Sequence, residues 1–134
     1  MPSYRTVLHK AQKRLEEADV WPESAQSLLL EISQMSGANL YADYNQPVPE
    51  DVLEKFEAGV ERLATGEPLG YILGYTWFYG RKILVNPDVL IPRPETEELC
   101  ANVLGIIDTY FPGENVQCVD IGTGSGEIGI TVAL

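Results

Sequence analysis

Apolar residues in the first half of the chain recur at helical spacing. Val7, Leu8, Ala11, Leu15 and Ala18 form one stripe behind Ser3, whose hydroxyl can accept from the free N–H groups of a first helical turn. Trp21-Pro22 restarts the chain with Pro22 suited to a first turn. Ala25, Leu28, Leu29, Ile32 and Met35 make a second stripe that Ser36-Gly37 is expected to close. Asn39 to Tyr44 suits one short helical turn, punctuated by Pro47 and Pro49. Glu50 to Ala64 predicts a third long helix, with Leu53, Phe56, Val60 and Leu63 on one face and Gly66 past its end.

The period changes near Gly66. Pro68 to Gly74 is too rich in glycine for a long helix and predicts a short turn or linker. Thr76-Trp77-Phe78-Tyr79 and Lys82-Ile83-Leu84-Val85 are β-prone runs around Gly80-Arg81, the pattern of a hairpin, and Asn86-Pro87-Asp88 then turns the chain. Pro94 opens another helix with Glu95, Glu97 and Glu98 in its first turn, where the helix dipole favours anions. Leu99, Val103, Leu104, Ile107 and Tyr110 are its expected buried stripe, and Pro112-Gly113 its end. Val116 to Ile121 predicts a short apolar strand, followed by the glycine run Gly122 to Gly126 and a helix-like EIGITVAL. A central strand of a parallel sheet needs neighbours from later βα units, so the chain is expected to be the N-terminal part of a longer protein.

Charge narrows the function classes. The 134 residues carry 9 Lys and Arg against 20 Asp and Glu, a net charge of −11, and none of the cations lies after Arg93. Counterion release on nucleic acid needs clustered Lys and Arg, and an anionic membrane surface needs them equally, so neither partner is expected. No apolar run has the roughly 18–20 residues of a membrane span, and the N-terminus has no apolar signal core, which suits a cytoplasmic protein. Cys100 and Cys118 are too few for a disulfide scaffold and both sit in apolar patterns, so buried free thiols are expected. His9, alone among Lys10, Lys13 and Arg14, is expected on the surface with no metal, because no second histidine can share one.

Two segments carry candidate chemistry. In Cys118-Val119-Asp120-Ile121-Gly122-Thr123-Gly124-Ser125-Gly126, a strand running into glycines lets backbone N–H groups approach a ligand closely. Asp120 beside that loop suits a ligand with a cationic group, such as S-adenosylmethionine. Gly124-Ser125-Gly126-Glu127-Ile128-Gly129 also matches the dinucleotide pattern G-x-G-x-x-G, but Asp120 and Glu127 would put negative charge near a pyrophosphate. An oxidoreductase fragment therefore stays as an alternative. In Ile91-Pro92-Arg93-Pro94-Glu95-Thr96-Glu97, two prolines stiffen the approach to the helix, so Arg93 is either aimed at a pocket or neutralises the nearby glutamates.

Gly66-Glu67-Pro68-Leu69-Gly70-Tyr71-Ile72-Leu73-Gly74, Phe78-Tyr79-Gly80, Asn86 to Glu97 and the Asp120 glycine loop occur in one order. This series resembles the bacterial release-factor glutamine methyltransferases, class I S-adenosylmethionine-dependent enzymes that methylate the glutamine of the GGQ motif in class 1 peptide chain release factors. The resemblance runs from about Gly66 to the last residue, and the helical half fits the family's N-terminal domain more loosely. It implies an α + α/β protein: a helical N-terminal domain over residues 1–72, a β-hairpin linker over 73–92, and over 93–134 the truncated start of a Rossmann-like methyltransferase domain. It implies cofactor contacts from Asp120, Gly122, Thr123, Gly124, Ser125 and Gly126, and pocket walls from Phe78, Arg93, Pro94, Thr96 and Glu97. The helical domain and hairpin would help seat the release factor. The family's catalytic Asn-Pro-Pro-Tyr is absent, since Asp88-Val89 follows Asn86-Pro87, and so is the acidic residue expected to hold the ribose. The chain alone is therefore expected to be inactive. A stand-alone release-factor-binding module is the other alternative, although it should carry polar residues at Val116, Val119, Ile121 and Ile130.

Overall fold

The structure, a computed structural model, describes residues 2–134; Met1, where the expected helical domain begins, lies outside the described residues. The chain forms two compact units, one ending at Ile72 and the other spanning Leu73–Leu134. Among the described residues it is mostly helical, with one antiparallel pair of strands.

The first unit contains α1 (Tyr4–Glu17), α2 (Glu23–Ser33), α3 (Gly37–Ala42) and α4 (Glu50–Ala64), and the boundary falls within α5 (Leu69–Leu73). Ser3 Oγ accepts from Thr6 N–H at 3.3 Å, the capping that the sequence predicts. Val7, Leu8, Ala11 and Leu15 of α1, Ala25, Leu28 and Leu29 of α2, and Phe56, Val60 and Leu63 of α4 are buried together with Tyr4. These three helices pack on one another, so each apolar stripe finds its cover in the other two. Gly59 permits the closest approach, since a Cβ there would lie 2.7 Å from Leu28 Cδ2. The start of the chain is tied down by Tyr4 N–H donating to the Gln46 carbonyl at 3.1 Å and Val48 N–H to the Pro2 carbonyl at 3.0 Å.

Two boundaries differ from expectation. Helix α2 stops at Gln34, which takes a left-handed conformation (φ 57°), and Ser36-Gly37 opens α3 instead of closing α2. The Ser36 hydroxyl accepts from Asn39 N–H at 3.2 Å, so its capping ability serves the following helix. The glycine-rich stretch expected as a linker contains α5, one short helical turn.

In the second unit, β1 (Tyr75–Phe78) pairs antiparallel with β2 (Arg81–Leu84), with Tyr75 opposite Leu84 and Phe78 opposite Arg81. The turn is Tyr79-Gly80, one residue earlier than the sequence predicts, with φ values of 52° and 75°. Positive φ at both central residues gives the mirror-image turn whose twist matches that of the strands. The remaining helices are α6 (Pro94–Tyr110) and α7 (Glu127–Ala133). Phe78 (1 % exposed) and Ile83 project from one hairpin face onto Cys100 (0 %) of α6, with Ile128 of α7 packed against them.

Three expectations fail here for one reason. No strand forms over 116–121, because the paired strands among the described residues are those of the hairpin and no neighbour supplies the ladder. Val119 and Ile121 are consequently 87 % and 92 % exposed, and Cys118 is an exposed thiol, not a buried one. The α6 stripe is likewise only partly covered: Leu99 and Tyr110 are exposed, Val103, Leu104 and Ile107 are half-buried, and Cys100, outside that stripe, is the one α6 residue fully enclosed. The hairpin and α7 cover only the Cys100 side of the helix.

Valine at position 59 would crowd the buried Leu28 side chain of α2 and is expected to destabilise the helical unit by about 1–3 kcal/mol. Urea unfolding of Gly59→Val, followed by circular dichroism, measures this; an unchanged midpoint would contradict the close approach. The two thiols should also differ in reactivity. In the native chain an alkylating reagent is expected to modify Cys118 and to spare Cys100 until denaturant is added, as peptide mass mapping would reveal.

Candidate cofactor site

The glycine run forms an open turn before α7. Gly122, Gly124 and Gly126 have φ of 72°, 56° and 84°, conformations that side-chain-bearing residues adopt at a cost. A Cβ at Gly122 or Gly124 would meet nothing within 4 Å, so the glycines here serve backbone shape and leave the loop open. Gly126 N–H donates to the Thr123 carbonyl at 2.8 Å, closing the turn, and Thr123 and Gly124 are exposed. Asp120 enters the loop half-buried, and its Oδ2 accepts from Gly129 N–H of α7 at 3.2 Å. Ser125 Oγ donates to Glu127 Oε2 at 2.7 Å.

The Ile91–Glu97 segment meets the same unit from the hairpin side. Pro94 occupies the first turn of α6 and Arg93 is its N-cap residue in an extended conformation. Arg93 and Pro94 are exposed and Thr96 is half-buried, its N–H donating to the Arg93 carbonyl at 3.0 Å. Glu97 Oε1 accepts from Tyr79 N–H at 2.6 Å. Phe78 is enclosed in the core against Cys100.

Electrostatics links these pieces. Burial pushes the Cys100 thiol pKa up, and the negative charges of Glu127, Asp120 and Glu97 push it further in the same direction. Asp120 at the entry to the glycine loop and Glu127 in the first turn of α7 put negative charge beside that loop, which favours a ligand carrying positive charge and opposes a phosphate. Thr131 adds a buried hydroxyl whose Oγ1 has no hydrogen-bond partner among the described residues.

The structure therefore packs Phe78 against Cys100, joins Glu97 to the hairpin turn and Asp120 to α7, and sets Gly122–Gly126 in an open turn before α7. It leaves Arg93 and Pro94 on the surface. The contact between Glu97 and the hairpin turn is absent from the sequence expectations. Its one signal is Tyr79-Gly80, where a mirror-image turn frees an N–H that the strand ladder does not use. Among the described residues, no helix is long and apolar enough to cross a membrane, and no group of three or more His, Cys, Asp or Glu could hold a metal ion.

The PrmC N-terminal domain family matches residues 6–74. Relatives extend the similarity over nearly the whole chain. The release factor glutamine methyltransferase of Bacillus subtilis (strain 168) is 42 % identical over 129 residues, 96 % of this chain and 45 % of that protein. Its namesake in Neisseria gonorrhoeae is 41 % identical over 110 residues, covering 82 % of this chain and 38 % of the relative. That of Staphylococcus aureus is 33 % identical over 132 residues, covering 98 % and 46 %. The chain thus spans less than half the length of these curated relatives. With half of its residues matched by that domain, the chain belongs to the PrmC N-terminal domain family, and it is similar over nearly its whole length to release factor glutamine methyltransferases.

Proposed function

We propose that this chain supplies the N-terminal helical domain, the hairpin and the first cofactor-binding loop of an S-adenosylmethionine-dependent methyltransferase. The enzyme would act in the cytoplasm on the glutamine amide of the GGQ motif in class 1 peptide chain release factors. One observation carries the cofactor assignment: the half-buried Asp120 carboxylate lies at the entry to an open glycine turn, and the helix after that turn begins with Glu127. S-adenosylmethionine presents a sulfonium and an α-ammonium, the charges that such a field attracts, whereas a dinucleotide presents a pyrophosphate that it repels.

The residues fit that cofactor in kind. Gly122, Thr123, Gly124, Ser125 and Gly126 would let it approach the backbone, and Asp120 would face its cationic end. Arg93, Pro94, Thr96 and Phe78 would shape the neighbouring wall, with Phe78 acting from within the core. When bound, the cofactor supplies an activated methyl group for transfer to the amide nitrogen. An amide nitrogen is a poor nucleophile, so the rate depends on holding its lone pair toward the methyl. The side chains that the family uses for this lie in an Asn-Pro-Pro-Tyr motif, which this sequence does not contain. The domain layout proposed is residues 1–72 helical, 73–92 hairpin linker and 93–134 the start of the Rossmann-like domain. The helical domain and hairpin would seat the release factor.

Calorimetric titration with S-adenosylhomocysteine should give saturable binding, weakened by about tenfold in Asp120→Asn. NADH should not bind under the same conditions. Tighter binding of NADH than of S-adenosylhomocysteine would refute the cofactor assignment. A GGQ-containing release factor incubated with the 134-residue chain and S-adenosylmethionine is expected to remain unmethylated by mass spectrometry. Methylation by this chain would show that the orienting groups are not required.

A further inference from the structure

We infer that Glu97 is a positioning residue, whose carboxylate fixes the hairpin turn on the first turn of α6 and is not itself a wall of the ligand pocket. In a two-residue hairpin turn the N–H of the first central residue takes no part in the strand ladder and needs another acceptor. Here that donor is Tyr79 N–H, held in the left-handed region at φ 52°, and Glu97 Oε1 accepts it at 2.6 Å. A bond to an ionised carboxylate is stronger than one between neutral groups.

A second contact lies next to it. Phe78, the residue before Tyr79, is buried against Cys100, and Cys100 follows Glu97 by three residues on α6, so both anchors share one helix face. One anchor is apolar and the other is a directed hydrogen bond. Together they fix both the position of the hairpin tip and its rotation about the Phe78 side chain.

The fixed hairpin presents a defined outer face. Tyr75 and Trp77 project away from Phe78, and the Lys82 ammonium lies over both rings, 4.1 Å and 5.6 Å from their centroids. The tether sets this face relative to the start of α6, which carries Arg93 and Thr96. Its bearing on the cofactor site rests on the function proposed above; the tether itself does not.

The test uses the 134-residue chain and amide hydrogen exchange by NMR. In Glu97→Ala the Tyr79 amide should exchange roughly tenfold faster or more, and its downfield shift should be lost. The Val85 amide, bonded within the hairpin to the Gly74 carbonyl, should keep its protection. Glu97→Gln, which retains an oxygen acceptor, should restore most of the Tyr79 protection. If Glu97→Ala also strips Val85 of protection, the hairpin has unfolded and Glu97→Gln decides alone: a protected Tyr79 amide supports the tether and an exposed one overturns it. Wild-type exchange at Tyr79 in Glu97→Ala overturns it as well. S-adenosylhomocysteine titrated against the same variants separates the two roles. Glu97→Gln should bind like the wild type if Glu97 acts on the hairpin, and like Glu97→Ala if its charge faces the ligand. Absence of binding in every variant would count against the cofactor assignment, while the amide exchange would still decide the tether.

Discussion

An extended segment keeps its shape only where its N–H and C=O groups find a neighbouring strand, and the second unit is organised by that requirement. The hairpin meets it internally, because Tyr75–Phe78 and Arg81–Leu84 satisfy one another through a two-residue turn. Residues 116–121 have an equally β-prone composition, yet they form no strand and leave Val119 and Ile121 in solvent. The difference lies in the supply of partners, since strand propensity describes how well side chains suit a pleated surface that must already exist. The core follows the same rule: apolar residues facing the hairpin are enclosed, and those elsewhere on α6 are not.

The helical unit was legible almost residue by residue, and the second unit much less so. Ser3, Val7, Leu8, Ala11 and Leu15 behave as their spacing predicts, and α4 runs from Glu50 to Ala64 as expected. Helical periodicity is a local signal, and α1, α2 and α4 are close enough in sequence for their stripes to meet. Burial of Leu99 or Cys118 is a different matter, because it depends on which other elements are present to cover them, and no property of those residues encodes it. The shift of the α2 boundary has a third cause. Ser36 can help to end one helix or cap the next, and composition does not choose between these uses.

The candidate site shows the same division. That Asp120 and the glycines adjoin is plain from the sequence, as is the rigid start of α6 at Pro94. That Glu97 reaches the hairpin turn and Asp120 the backbone of α7 depends on tertiary packing that sequence separation conceals. Charge in this unit has two uses at once. It creates an environment suited to cations, and through Glu97 it fastens one secondary-structure element to another.

Each unit also carries a single tryptophan, and both indoles are on the surface: Trp21 is 77 % exposed and Trp77 is 55 % exposed. Intrinsic fluorescence is most useful as a folding reporter when an indole leaves water on folding, and neither of these does so. Trp77 additionally has the Lys82 ammonium beside its ring, so its emission follows the hairpin face more closely than the core beneath. The optical signal of this chain therefore describes its two outer surfaces, while the enclosed packing around Leu28 and Cys100 stays dark.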